Sequence, residues 1–146
     1  MIRLADPQAT EAFGARLAAL VQAGDVITLR GELGVGKTSV ARGLLAALGL
    51  VGEAPSPSFA IVQSYAPPET RLPVLHVDLY RLSDPEEIEE LGLDDARFDS
   101  LIVLEWPERA PGAWPDALEL HLETAPDGAR ILTARVPASW KPRWPI

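Results

Sequence analysis

Apolar residues recur along this chain with two periods, and the changes of period mark out its elements. From residue 9 the spacing is helical. Ala9, Phe13, Leu17, Leu20 and Val21 share one face, behind an Asp6-Pro7 pair that supplies an N-cap acceptor and a first-turn proline. Gly24 stops that helix. Asp25-Val26-Ile27-Thr28-Leu29-Arg30 is a β-branched, mostly apolar run and predicts a buried strand. Apolar positions 40, 44, 45 and 48 return to helical spacing until Gly49. Pro55 and Pro57 then bar a helix, so residues 52–57 form a loop. The runs 58–65 and 71–80, joined by Ala66-Pro67-Pro68-Glu69-Thr70, predict an antiparallel hairpin.

Further along, Asp84-Pro85-Glu86-Glu87 spells an N-cap, an N1 proline and an N3 glutamate, opening a helix that runs to about Leu91 and ends at Gly92. Leu101-Ile102-Val103-Leu104 is wholly apolar, the pattern of a strand covered on both faces of a parallel sheet, and Trp106-Pro107 ends it. Residues 118–123 alternate apolar and charged side chains and 131–136 do so less regularly, which predicts two edge strands wet on one side. Half of the 14 prolines lie from Pro107 onward. No internal repeat or linker interrupts the pattern. The chain's 146 residues suit one domain with its own core, placed at 1–136, followed by a C-terminal tail, 137–146, to which the pattern assigns no order.

Composition narrows the class. With 23% charged and 47% hydrophobic residues the chain reads as a soluble globular protein. No apolar run approaches the ~18–20 residues a membrane-crossing helix needs, and the N-terminus lacks a signal-peptide core. The expectation is a cytoplasmic protein without membrane association. Cysteine is absent and only His76 and His121 supply imidazoles, so neither a disulfide framework nor a zinc cluster is expected. A net charge of −8 with no Lys/Arg cluster argues against a broad phosphate-binding surface. DNA is therefore not an expected partner, and any role in a nucleic-acid pathway runs through proteins.

The chemistry concentrates after the first predicted strand. Gly31-Glu32-Leu33-Gly34-Val35-Gly36-Lys37-Thr38 matches the phosphate-binding pattern G-x-x-x-x-G-K-[ST] in full, in the strand–loop–helix setting the motif requires. Glycines let successive N–H groups point inward at phosphate oxygens. Lys37 adds a point charge for the β- and γ-phosphates, the Thr38 hydroxyl can ligate Mg²⁺, and the helix N-terminus faces the same anion. Such a site also needs a carboxylate at the end of a neighbouring strand. Glu105 and Asp78 both follow apolar runs, and each can also be read as a solvated acid at a strand end. Ser56-Pro57-Ser58 offers loop hydroxyls of the kind that sense a γ-phosphate, or simple turn formers. Trp106 and His76 read as buried anchors rather than as chemistry.

These elements predict an α/β fold: a single P-loop NTPase-like domain with a central, mostly parallel sheet, an antiparallel hairpin, antiparallel edge strands and helices on both faces. The chain contains no asparagine, hence no N-K-x-D, and no D-x-x-G. ATP is therefore expected rather than GTP. An ATPase, a small-molecule kinase and a non-catalytic nucleotide-sensing module remain as classes. The kinase would need an Arg-bearing helical lid where this chain offers a hairpin, and the sensor would have no need of Glu105.

Four linked segments are similar, in order and spacing, to the bacterial TsaE family: the loop Gly31 to Thr38, Ser56-Pro57-Ser58-Phe59, His76-Val77-Asp78-Leu79-Tyr80-Arg81-Leu82 and Glu105-Trp106-Pro107-Glu108. The resemblance runs from about Thr10 to Arg109 and continues faintly to Arg135. It implies the P-loop ATPase that works with the TsaB and TsaD proteins in making threonylcarbamoyladenosine beside the tRNA anticodon. In that family ATP hydrolysis resets the complex, tRNA is met only through it, and TsaE does not itself transfer the threonylcarbamoyl group. Carried over by residue, the resemblance implies that Thr38 and Glu105 hold Mg²⁺ and that Lys37, Asp78 and Glu105 are needed for activity. Gly34, Val35, Gly36, Lys37, Thr38 and the adjoining Ser39 cradle the phosphates, and Trp106 shapes the site beside Glu105. The resemblance also implies that Thr10 and Arg130 are further nucleotide contacts. At Ser58 the family usually has threonine; the hydroxyl survives here and the methyl does not.

Overall fold

The computed structural model describes residues 1–32, 34–52, 62–82, 84 and 86–144, the side chains of Glu89 and Glu90 apart. Its strands are β1 (Ile2–Leu4), β2 (Val26–Arg30), β3 (Val62–Tyr65), β4 (Val74–Asp78), β5 (Leu101–Glu105), β6 (Leu118–Thr124) and β7 (Arg130–Arg135). They form one sheet in the order β1-β7-β6-β2-β5-β4-β3. The centre, β6-β2-β5-β4, is parallel, and β3, β7 and β1 add to it antiparallel. The helices are α1 (Pro7–Ala18), α2 (Lys37–Ala47), α3 (Glu87–Glu90) and α4 (Leu93–Ala96). Among the described residues no helix is long and apolar enough to cross a membrane.

Strand alternation sorts the core into two layers. Ile27, Leu29, Leu101, Val103, Leu118 and Leu120 point to the face covered by α1 and α2, where Phe13, Leu17, Val40 and Leu44 meet them. Val26, Val77, Ile102 and Leu104 point the other way, against Leu93 of α4 and the partly buried Ile88 of α3. Helices thus cover both faces. On the first face α1 and α2 cross at two glycines. A Cβ on Gly14 would lie 2.1 Å from the Val40 carbonyl oxygen, and one on Gly43 only 1.9 Å from that of Glu11. The backbones touch there with no room for a methyl.

The structure refines several boundaries. Strand β4 is shorter than the run 71–80, because Arg71 donates its N–H to Leu48 O at 2.8 Å instead of to the sheet, and Pro73 has none to give. Its far end stops where Tyr80 N–H donates to Asp78 Oδ1 at 2.8 Å. The helix expected from residue 84 keeps its cap, Glu86 N–H donating to Asp84 Oδ1 at 3.0 Å. Gly92, at φ 66°, then ends α3, and the short α4 follows, which the pattern does not predict. Strand β6 is interior, parallel to β2, rather than an edge; β1, a three-residue strand too short to show a period, takes the edge beside β7. Residues 58–61 of the predicted hairpin lie outside the described residues.

The C-terminal segment, to which the sequence assigns no order, folds back onto the turn between α1 and β2. Trp140 is 1% exposed in the main core cluster. Arg143 stacks on its ring at 3.9 Å, donates to Leu20 O at 2.7 Å and pairs with Asp25 at 2.7 Å. Prolines 137 and 142 hide any helical or strand period here, yet a tryptophan brings more apolar area to bury than any other side chain.

Candidate functional site

The loop between β2 and α2 is shaped by glycine where nothing else fits. Gly31 has φ 147°, and a Cβ there would fall 2.6 Å from the Leu122 carbonyl oxygen of β6. Gly36, at φ 111°, caps α2 without a side chain. Lys37 opens the helix, but its side chain folds back under the loop. Its ammonium donates to Gly31 O, lies 3.5 Å from Glu32 O and sits 3.4 Å from the centroid of the Trp106 ring. Burial pushes the Lys37 ammonium below the ordinary lysine value, against the opposing pull of Glu105, Glu108 and Asp78.

The two candidate acids come together because β4 and β5 are parallel and end at the same level, Asp78 opposite Glu105. Glu105 is 3% exposed and accepts from the Thr38 hydroxyl at 3.0 Å on Oε1 and 3.3 Å on Oε2. His76, two residues before Asp78 on the same face, lies with Nε2 2.6 Å from Glu105 Oε2. Residue chemistry alone offers no reason to join His76 to Glu105; parallel register supplies it. Burial raises the Asp78 carboxyl above the usual aspartate range, partly offset by the Tyr80 N–H it accepts and reinforced by the neighbouring Glu105 charge.

Trp106 makes the corner that follows Glu105. Its φ of 64° is the one positive value at a non-glycine among the described residues, a conformation costing on the order of 1–3 kcal/mol. Its N–H donates to Leu29 O at 3.3 Å, and its ring packs against Tyr80 at 4.9 Å between centroids. Arg109 lies over the other aromatic, 5.4 Å from the Tyr80 centroid. Tyr80 and Arg109 are thus neighbours of the site that sequence reasoning did not place there.

Behind the loop is a cavity of about 240 Å³ lined by Thr10, Gly34, Val35, Gly36, Ser39 and Arg130, together with Leu4 of β1, Ala5, the Asp6 cap, Pro7 of α1 and Gly128. Thr10 is buried on α1. Arg130 reaches over from β7 and donates Nε–H to Val35 O and an Nη1–H to Gly128 O, each at 2.8 Å. The sequence-predicted set Thr10, Gly34, Val35, Gly36, Lys37, Thr38, Ser39, Asp78, Glu105, Trp106 and Arg130 therefore surrounds one loop. Ser58 and its neighbours in residues 53–61 lie outside the described residues.

Among the described residues no group of three His, Cys, Asp or Glu side chains forms a cage for a metal ion. The hydroxyl of Thr38 and the carboxylate of Glu105, in mutual contact beside the loop, are a donor set that fits Mg²⁺. That ion is commonly bound by one or two protein oxygens plus phosphates and water rather than by an all-protein cage.

The family model described as Threonylcarbamoyl adenosine biosynthesis protein TsaE matches residues 4–132. The tRNA threonylcarbamoyladenosine biosynthesis protein TsaE of Streptomyces coelicolor is 44% identical over 114 residues, 77% of each chain. That of Bacillus subtilis is 35% identical over 133 residues, 90% of this chain and 82% of its own length. The fold is similar to the crystal structure of Bacillus subtilis YdiB, with a TM-score of 0.79 and 28% identity over 97% of this chain and 88% of that one. A match that runs from the end of β1 through the glycine loop and both acids into β7 leaves one conclusion: this chain belongs to the TsaE family, with a P-loop NTPase-like fold.

Proposed function

We propose that this chain binds and hydrolyses ATP with Mg²⁺ and acts through the TsaB–TsaD complex in the threonylcarbamoyl modification of tRNA adenosine next to the anticodon. The observation that carries this reading is the contact of Thr38 with Glu105 at 3.0 Å, beside the ammonium of Lys37. The loop N–H groups and the α2 N-terminus would receive the phosphates, with Lys37 exchanging its loop carbonyls for phosphate oxygens. The cavity lined by Thr10, Val35 and Arg130 would take the nucleoside. Thr38 and Glu105 would hold Mg²⁺, which when bound offsets charge on the phosphates. Glu105 and Asp78 would orient the attacking water.

Fast transfer also needs positive charge at the γ-phosphate beyond Lys37, commonly an arginine, worth ~10³–10⁵ in rate when supplied in trans. Arg130 is engaged with the loop carbonyls and Arg109 lies over the Tyr80 ring, so we read the site as one completed by a partner. A non-catalytic sensor would not require Glu105 against Thr38, and a kinase would pass phosphate to a metabolite instead of releasing it.

The test is steady-state phosphate release by the chain alone, with TsaB–TsaD, and with that complex plus tRNA. The lone chain is expected below ~1 s⁻¹, the low end of ordinary turnover, and faster with partners. A faster lone chain, or partners without effect, overturns the partner-gated reading. Filter binding checks the indirect route to tRNA: the lone chain should bind no tighter than about 1 μM at physiological salt.

A further inference from the structure

We propose that His76 is the positioning residue of this site: it holds Glu105 in the orientation that meets Thr38, and thereby sets how strongly nucleotide binding depends on a divalent ion. The inference rests on the ATP reading above.

The placement follows from register. His76 pairs with Val103, and Asp78 with Glu105, along the parallel β4–β5 ladder. Both His76 and Glu105 therefore point to the α2 side of the sheet, one pleat apart. At 0% exposure His76 is enclosed by protein, and its Nε2 stands 2.6 Å from Glu105 Oε2. Among the described residues its Nδ1 is buried without a hydrogen-bond partner. A carboxylate oxygen only accepts, so the 2.6 Å approach puts a ring proton on Nε2, donated to Glu105.

That bond divides the labour of the carboxylate. His76 occupies Oε2, and Oε1 makes the shorter contact with Thr38, 3.0 Å against 3.3 Å. A carboxylate with a single hydroxyl donor can rotate about its last torsion, whereas one held from β4 and from α2 cannot. Outer partners of this kind orient a ligand without touching the ion. Asp78 and Lys37 also face this region, but among the described residues only Thr38 and His76 hydrogen-bond the Glu105 carboxylate. His76 is therefore the strand-side clamp.

The experiment compares the parent with His76→Leu, which fills the space without a donor, and His76→Gln, whose amide can restore one. ATP affinity is measured by calorimetry with saturating Mg²⁺ and with EDTA. His76→Leu should cut the Mg²⁺-dependent gain by about 10–100-fold, as loss of a partner that orients a metal ligand does, while affinity in EDTA stays near the parent's. His76→Gln should recover most of the gain. Nitrogen NMR of the nucleotide-free parent should show the ring proton on Nε2. A His76→Leu variant with the parent's Mg²⁺ gain overturns the inference alone, and so does a ring proton on Nδ1. If His76→Leu does not fold, His76→Gln and the NMR spectrum decide. A parent that binds ATP no better with Mg²⁺ than without overturns the nucleotide reading and this inference together.

Discussion

Thr38 and Glu105 stand 67 positions apart in the chain and meet through a hydroxyl that lies within 3.3 Å of both carboxylate oxygens. The contact ties the first turn of α2 to the end of β5, so the loop's far boundary is fixed by the centre of the sheet rather than by its own sequence. It also leaves the carboxylate buried, where a neighbouring charge or ion acts with little screening.

Glu105→Gln keeps the shape and loses the charge. ATP binding should remain measurable by calorimetry while phosphate release, activated by the partners, falls at least ~10²-fold, the lower range for a lost acid–base group. Should Glu105→Gln turn over at the parent rate while Asp78→Asn is dead, Asp78 is the principal acid.

Lys37→Ala removes a cation that contacts loop carbonyls and the Trp106 ring rather than the apolar core. The expected loss in ATP affinity is about 1.5–3 kcal/mol, the range for charge-assisted hydrogen bonds, with the circular dichroism spectrum unchanged. Undiminished affinity would remove the phosphate assignment of the loop.

The buried acid Asp78 gives a pH signature. Burial holds its carboxyl above the ordinary 3.8, so the folded chain binds that proton more tightly than the unfolded one. Stability then falls as pH rises through the interval between the two pKa values, and the buried charge opposes folding fully above it. Asp78→Asn should accordingly raise the melting temperature most at neutral pH, with the gain vanishing as pH drops below the ordinary aspartate value. A gain that grows on acidification contradicts this.

The helix crossing is a purely steric test. Glycine to alanine inside a helix ordinarily stabilises by roughly 0.5–1 kcal/mol. At Gly43, with Glu11 O only 1.9 Å from the new Cβ, the sign should reverse, by at least the ~1–3 kcal/mol typical of overpacking. Urea midpoints of Gly43→Ala and Gly14→Ala read this directly, and either variant matching the parent would mean that α1 and α2 separate at little cost.

The glycine loop was legible because its chemistry is local: eight consecutive residues carry the backbone path, the cation and the hydroxyl. Asp78 and Glu105 were legible as candidates, each ending an apolar run, but not as neighbours, since only parallel pairing of β4 with β5 sets them side by side. His76 was hidden for the same reason, as its partner is a side chain on another strand. The corner at Trp106 has no sequence signal, because its left-handed backbone occurs at a residue that disfavours it. The cavity behind the loop depends on Arg130 of β7 and on β1, whose pairing at the sheet edge no periodicity could announce. Trp140 lies among prolines that carry no period, so only its bulk signals the burial it adopts.

Strand β2 carries the loop, yet both of its sheet neighbours come from far down the chain, Val26 beside Ile102 and Ile27 beside Leu118. None of its ladder bonds can form until those distant segments return, and chain entropy must be met before such pairings reward it. The loop can therefore take its shape only once those segments are in place. A ligand of that loop has nothing to grip in the early chain. It would leave the folding rate almost untouched and act by slowing the escape from the native state, so protection by nucleotide should appear in the unfolding limb of the kinetics.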